Sequence, residues 1–313
     1  MKTIVGIENL SPPEAGSSIT IGTFDGVHLG HRALIARAIG AAEQDDLSSV
    51  IVTWDRHPNE TVRPDKAPPL LTTPARKVEL LTERRPDILV TLAFDKELSQ
   101  WPPERFAEDV LAKGLGARRV FVGEGWRFGR GATGDATVLA ELGEELGFTA
   151  EPVGLESSAG GPISSSRIRA AVAEGDMKLA HTLLARPFDM DGVVVHGDDR
   201  GQSLGFPTAN LHLDPALVGP ARGVYAGRAR VGGSWFPAAV NVGVNPTFGG
   251  DPATTPLRVE AYLLDFTGDL YEQTIRIEFH ERLRDELKFD SAEALIEQMN
   301  ADVAATRRLI EEP

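Results

Sequence analysis

The sequence predicts two domains of different class: a parallel α/β sheet domain, then a small antiparallel β-barrel followed by a C-terminal helix. Three observations predict this. The 313 residues are more than one hydrophobic core usually organises. Up to about residue 185, short apolar runs alternate with helix-spaced segments, the pattern of a parallel sheet covered on both faces. From residue 186 onward, beyond Arg186-Pro187-Phe188, the runs alternate with period two between turn residues, as in a small barrel.

In the first domain, residues 1–185, Ile19-Thr20-Ile21 reads as a strand and Ala33 to Ile39 as the helix after it. Val50 to Trp54 reads as a buried strand. Pro74 to Arg85 reads as a helix with Thr73 as N-cap and proline at its first position. Ile88 to Leu92 is strand-like, Pro103 to Lys113 helical with Gly114 as its stop, and Arg119 to Val122 strand-like. Ala136 to Leu146 is helical and ends at Gly147, and a last helix opens at Ile163-Ser164-Ser165-Ser166 and runs to about Ala173.

In the second domain, residues 186–313, strands are expected at Gly192–Val195, Gly223–Gly227, Pro237–Val242, Val259–Leu264 and Thr274–Phe279. A helix closes the chain from Ser291 to about Ile310. Asp290 and Glu293 form its expected capping box, and Leu295, Ile296 and Met299 an apolar stripe expected to pack as core.

Composition excludes several function classes. There is no cysteine, so disulfides, thiolate metal sites and cysteine nucleophiles are excluded. Acidic residues number 46 against 32 basic, a formal charge of −14 that repels nucleic-acid backbones. The N-terminal segment lacks a signal-peptide core and no apolar run is long enough to span a bilayer, so a cytoplasmic protein without membrane partners is expected.

The chemistry concentrates beyond the carboxyl ends of the first-domain strands, where ligands of such sheets sit. Gly22-Thr23-Phe24-Asp25-Gly26-Val27-His28-Leu29-Gly30-His31-Arg32 joins a strand to a helix. Two imidazoles at a helix start, where free backbone N–H groups and the dipole point outward, suit a triphosphate. A lone pair of histidines would be merely exposed; Gly22, Asp25, Gly26 and Gly30 around them favour a phosphate site. Ser164, Ser165, Arg167 and Arg169 make a second anion-binding helix start. His57, in a turn after a buried strand, and the glycine-rich Gly123 to Gly131 loop with Trp126, Arg127, Phe128 and Arg130 are further candidates; the aromatics can stack on a flat ring.

In the second domain, Gly197 to Leu211 is a glycine-punctuated loop. In an extended chain Thr208 and Asn210 project to one side, and their oxygens are hard ligands suited to Mg²⁺. Glu260, between Val259 and Leu263, is a candidate general base for a substrate hydroxyl.

These motifs together resemble the bacterial bifunctional riboflavin kinase/FAD synthetase family over almost the whole length. The segments Gly22 to His31 and Ile163 to Arg169 look like its two nucleotidyltransferase phosphate motifs, and Gly205-Phe206-Pro207-Thr208-Ala209-Asn210 like its kinase signature. Asn241 to Phe248 and Leu283 to Phe289 look like further kinase hallmarks. The resemblance implies a Rossmann-like nucleotidyltransferase domain, then a riboflavin kinase-like barrel. It implies phosphorylation of riboflavin to FMN by the second domain and adenylylation of FMN to FAD plus pyrophosphate by the first, both with ATP and Mg²⁺. In the first domain it places Gly22, Phe24, Asp25, Gly26, His28, Gly30, His31, Ser164, Ser165 and Arg169 around ATP, and His57, Asp65, Trp126 and Phe128 around FMN. In the second it makes Glu260 the base, Thr208 and Asn210 the metal ligands, and Gly201, Gly205, Pro207, Asn241 and Arg284 substrate-binding. The implied partners are ATP, riboflavin and FMN, with the chain a monomer or transient homo-oligomer. Three departures stand out: Arg56 where the family usually has proline, Gly125 where it has Asp or Asn, and Ser166 where it has threonine. The first two fall on the expected flavin side, so a kinase with a weak or inactive adenylyltransferase domain is the alternative expectation.

Overall fold

The structure, a computed structural model, describes residues 1–154, 156–197, 205–244 and 257–311. The expected Gly201 and the stretch Asn245-Pro246-Thr247-Phe248 lie outside the described residues. The chain divides into two compact units, Met1–Ser165 and Ser166–Pro313.

The first unit is built on β1 (Lys2–Val5), β2 (Ser17–Ile21), β3 (Ser48–Trp54), β4 (Ile88–Leu92), β5 (Ala117–Gly123) and β6 (Thr149–Val153). They form one parallel sheet in the order β1-β4-β3-β2-β5-β6. Its helices are α1 (Leu29–Gln44), α2 (Pro58–Val62), α3 (Pro74–Thr82), α4 (Pro103–Phe106, running into a π-helix over Ala107–Gly114) and α5 (Ala136–Leu146). Strand alternation sorts the core. Val50, Val52 and Trp54 of β3 pack with Phe106, Val110, Leu111 and Leu139 on one face, while Ile51 packs with Leu34, Ile35, Leu80 and Leu81 on the other. Strand order reverses between β2 and β5, which places the expected ligand crevice beyond the carboxyl ends of those two strands. The small hairpin β7 (Ser157–Ser158) and β8 (Gly161–Pro162) leads into α6 (Ser165–Glu174).

The second unit holds the rest of α6, α7 (Met177–Leu184) and a closed barrel. Its strands are β9 (Phe188–Val195), β10 (Ala209–Leu213), β11 (Gly223–Val231), β12 (Ser234–Val244), β13 (Leu257–Leu263) and β14 (Thr274–Arg284), ordered β10-β13-β12-β11-β14-β9 and rejoined by the β9–β10 pair. Closure leaves no unpaired sheet edge. The chain then forms α8 (Ala292–Glu311), which packs on β11 and β12.

Some local expectations change. Helix α3 stops at Thr82, three residues early, and Arg85 beyond it adopts φ 57°. Ser291, not Asp290, caps α8: its Oγ accepts from Ala294 N at 3.2 Å, because the helix starts one residue later than the capping-box spacing requires. Strands β1, β6 and β10 are additions; β10 alternates Ala209, Leu211 and Leu213 with Asn210 and His212 but spans only five residues at the end of a glycine-punctuated loop.

Candidate functional site

In the first unit the chain leaves β2 at Ile21 and turns through Gly22–His28 into α1. Phe24, Gly26 and Val27 all have positive φ, at 51°, 81° and 40°. A β-branched residue in that region is strained, and such strain persists only where its surroundings over-determine it. Here they do. Phe24 and Val27 are fully buried, and Gly26 N donates to Thr72 Oγ1 at 3.3 Å. The Asp25 carboxylate accepts from Leu71 N at 3.0 Å, Thr72 N at 3.1 Å and Thr72 Oγ1 at 3.3 Å. Asp25, expected among the phosphate ligands, therefore faces inward and holds the loop's shape.

The outcome is the placement of two imidazoles. His28 is the N-cap of α1, and its Nδ1 accepts from His31 N at 3.3 Å. Nδ1 is thus unprotonated and the ring's proton sits on Nε2. The two rings stack at 3.5 Å between centroids and 16° between planes. Gly30 lies in the first turn between them, and Gly22 N is tied to Val52 O at 3.1 Å. Ser165 Oγ donates to Asp25 O at 3.0 Å, so Ser165 lies against the same loop; Ser164 precedes it and Arg169 stands one turn further along α6. Imidazole N–H groups, hydroxyls and a helix N-terminus converging in one place can hold an anion.

The flavin-side candidates are more dispersed. His57 caps α2: its Nδ1 accepts from Asn59 N at 3.1 Å, while Glu60 accepts from His57 N at 2.8 Å. Asp65 is exposed in the short turn Pro64–Lys66. Trp126 stacks on Phe128 at 4.6 Å, and Phe128 is buried against Phe106. Paired backbone bonds between Phe128 and Gly134 pin this loop, at 3.1 and 3.0 Å. Neither departure obstructs anything. Arg56 points to solvent and pairs with Asp55 at 2.8 Å, and a Cβ at Gly125 would meet nothing within 4 Å.

In the barrel, register brings three expected residues into one row. Asn210 on β10 faces Glu260 on β13, which faces Asn241 on β12. All three line a cavity of about 460 Å³ together with Thr208, Arg258 and Arg284. Glu260 pairs with Arg258 at 2.5 Å, and Arg258 also donates to Asn210 Oδ1, from Nε at 3.3 Å and Nη2 at 3.1 Å. Arg284 is clamped by Asp302 of α8, Nε to Oδ1 at 3.0 Å and Nη2 to Oδ2 at 2.7 Å. Phe206 and Tyr262 add an edge-to-face aromatic wall, and Leu295 and Met299 of α8 complete it. The α8 stripe therefore lines this cavity as well as packing. A second cavity of about 380 Å³ is lined by Pro207, Thr208, Val194, Leu263, Phe266 and Tyr271 among others. Thr208 belongs to both walls. Gly205 precedes them at φ 87°, a left-handed turn that favours glycine.

Sequence reasoning passed over Arg258 and Tyr262 in the barrel, Asp302 in α8 and Lys77 in the first unit. A charged residue inside a strand or helix reads as an exposed one until register and packing are known.

Residues 11–167 match the FAD synthetase family, and residues 184–310 match the riboflavin kinase family. The chain is 38% identical to a bifunctional riboflavin kinase/FMN adenylyltransferase of Pseudomonas fluorescens, over 99% of this chain and 98% of that protein. It belongs to this bifunctional family. Relatives of the same name in Escherichia coli (strain K12) and Bacillus subtilis (strain 168) are 36% and 34% identical, over 98% and 92% of the chain and 97% and 91% of theirs. The fold also matches a crystal structure described as a macrolide-efflux protein of Streptococcus pneumoniae, with TM-score 0.86 and 31% identity over 98% of this chain and 99% of that one. Among the described residues of this chain, no helix is long and apolar enough to cross a membrane. The chain is a bifunctional transferase, its FAD synthetase part first and its riboflavin kinase part second.

Proposed function

We propose that the barrel, within a kinase domain of residues 186–313, moves the γ-phosphoryl group of ATP to the 5′-hydroxyl of riboflavin. The adenylyltransferase domain, residues 1–185, then joins FMN to the AMP part of a second ATP. The observation that carries the first half is Thr208, shared by two adjoining cavities, one of which holds Glu260. One cavity takes the flavin and the other the nucleotide, so the reacting groups meet at Thr208. Glu260 accepts the hydroxyl proton as the oxygen attacks phosphorus, with Arg258 fixing the carboxylate. Arg284, held by Asp302, and the aromatic wall position the flavin.

Both reactions are expected to need Mg²⁺. In the barrel Thr208 offers a neutral hydroxyl oxygen, whereas Asn210 Oδ1 accepts from Nε and Nη2 of Arg258 and would join the ion only on release of that guanidinium. No cluster of three or more His, Asp or Glu among the described residues forms a protein cage, which suits an ion that keeps waters and phosphate oxygens as ligands. Bound there, Mg²⁺ would neutralise phosphate charge.

In the first domain, the FMN phosphate attacks the α-phosphorus of ATP and pyrophosphate leaves. The nucleophile is already an anion, so the protein has to position and to neutralise. His28 Nε2–H, His31 and Ser164 would hold the polyphosphate at the start of α1, while Ser165, whose proton goes to Asp25 O, braces the loop. His57, Trp126 and Phe128 are assigned to the flavin. The protein is expected in the cytoplasm, as a monomer or transient homo-oligomer with small-molecule partners. Chromatographic separation of the products from riboflavin with Mg-ATP tests the whole reading. FMN appearing first and FAD after it supports it; FMN alone, also when FMN is supplied, would assign a silent first domain.

A further inference from the structure

We propose that Lys77 is a positioning residue for FAD formation: from inside the fold it ties the end of β3 to the β2–α1 loop and offsets the carboxylates at that junction. Lys77 sits on the buried face of α3 beside Leu80 and Leu81, with only 6% of its surface exposed. Its Nζ donates to Trp54 O at 2.7 Å. Trp54 is the last residue of β3, and the turn it opens carries Asp55 and then His57. At its other end, α3 begins just after Leu71 and Thr72, the residues that grip Asp25. One short helix thus touches both the loop that sets His28 and His31 and the turn that sets His57.

The charge is costly where it is. Burial pushes the Lys77 ammonium down to about 8, and the carboxylates of Asp25 on the β2–α1 loop, Asp55 beyond β3 and Glu60 on α2 pull it only partly back. A methionine would fill the same helical position without that penalty. Stability calls for a donor to Trp54 O at this position but not for a charge, and phosphate-bearing substrates give the charge a use. ATP and FMN bring phosphate charge to loops that already contain Asp25, Asp55 and Glu60, and a buried cation among them lowers the repulsion. The inference rests on the assignment of His28 and His31 to ATP.

The test is Lys77→Met in the full chain, with His28→Ala beside it. For Lys77→Met near neutral pH, kcat/KM for FAD formation should fall about tenfold or more, with a higher KM for ATP or FMN as well as a lower kcat. FMN formation should be unchanged, and the thermal unfolding midpoint equal or higher. In the wild type, kcat/KM for FAD formation should fall as pH rises through about 8, where the free enzyme loses this proton, and the variant should lack that limb. An FAD rate within about twofold of wild type, or an alkaline limb that persists in the variant, overturns the proposal. So does a joint loss of both activities with a lowered midpoint, which marks a structural role. If His28→Ala also leaves FAD formation intact, the ATP assignment itself has failed; if only Lys77→Met does, the lysine alone has.

Discussion

His28 and Glu260 show what single residues contribute. His28 gives up Nδ1 to cap α1 and so presents Nε2–H to a ligand. Removing one such donor costs about 3 kcal/mol of transition-state stabilisation, roughly a hundredfold in rate. His28→Ala should therefore slow FAD formation by about that factor and leave FMN formation unchanged, read as separate initial rates from FMN and from riboflavin. Glu260→Gln keeps the size and loses the base, and should do the reverse, slowing FMN formation by roughly 10²-fold or more. The candidates His28, His31, Thr208, Asn210 and Glu260 stand out in the sequence because they lie in short motifs whose spacing reflects local geometry. The inward turn of Asp25 was not legible: a carboxylate beside glycines at a phosphate-type turn looks exposed, and the backbone N–H groups of Leu71 and Thr72 hold it inward. Lys77 was illegible because a lysine flanked by Arg76 and Glu79 resembles a solvated helix face.

At the scale of elements, α8 does two jobs. It packs on β11 and β12, and through Leu295, Met299 and Asp302 it builds one wall of the larger barrel cavity. Asp302 is only 6% exposed and also accepts from Gln298 Nε2 at 3.0 Å. Asp302→Ala would strand the Arg284 guanidinium, and loss of one partner of a buried pair costs about 3 kcal/mol. Urea unfolding should show a lower midpoint with an unchanged slope, and the riboflavin KM should rise. Met299→Ala should raise that KM several-fold with the ATP KM unchanged, since the nucleotide side is lined by other residues. The helix itself was legible from its 3.6-residue stripe, but its second role was not: apolar spacing is the same whether a stripe meets a core or a ligand cavity. Strand β10 was missed because it is short and closes the barrel by pairing with β13, which is distant in sequence. The central strands β2, β3, β4 and β5 were easier, being short apolar runs, whereas the edge strands β1 and β6, KTIV and TAEPV, lack such a run.

For the whole molecule, titration sets the pH range of stability. Asp55 is desolvated, yet hydrogen bonds from Arg56 and from Phe94 N hold its carboxyl below the usual range. Glu278 is likewise desolvated but is held low by His280 and Arg228, and Asp87 by the backbone N–H and hydroxyl of Ser49. Depressed carboxyl values mean the unfolded chain binds protons first as pH falls, so their stabilisation is present above about pH 4 to 5 and is lost below it. Thermal melts across a pH series should show a midpoint that drops on the acid side. Lys77 has the same sign at higher pH: its lowered value makes the unfolded chain the better proton binder between about 8 and 10.5, so its penalty fades as pH rises through that range.

The central claim is that one chain carries two independent phosphate chemistries in separate places. The most direct measurement is the product ratio of His28→Ala and Glu260→Gln, each given riboflavin and Mg-ATP and, separately, FMN and Mg-ATP. The account predicts that His28→Ala accumulates FMN with little FAD, and that Glu260→Gln makes FAD from FMN at the wild-type rate but little FMN from riboflavin. Equal loss of both products in either variant would contradict it.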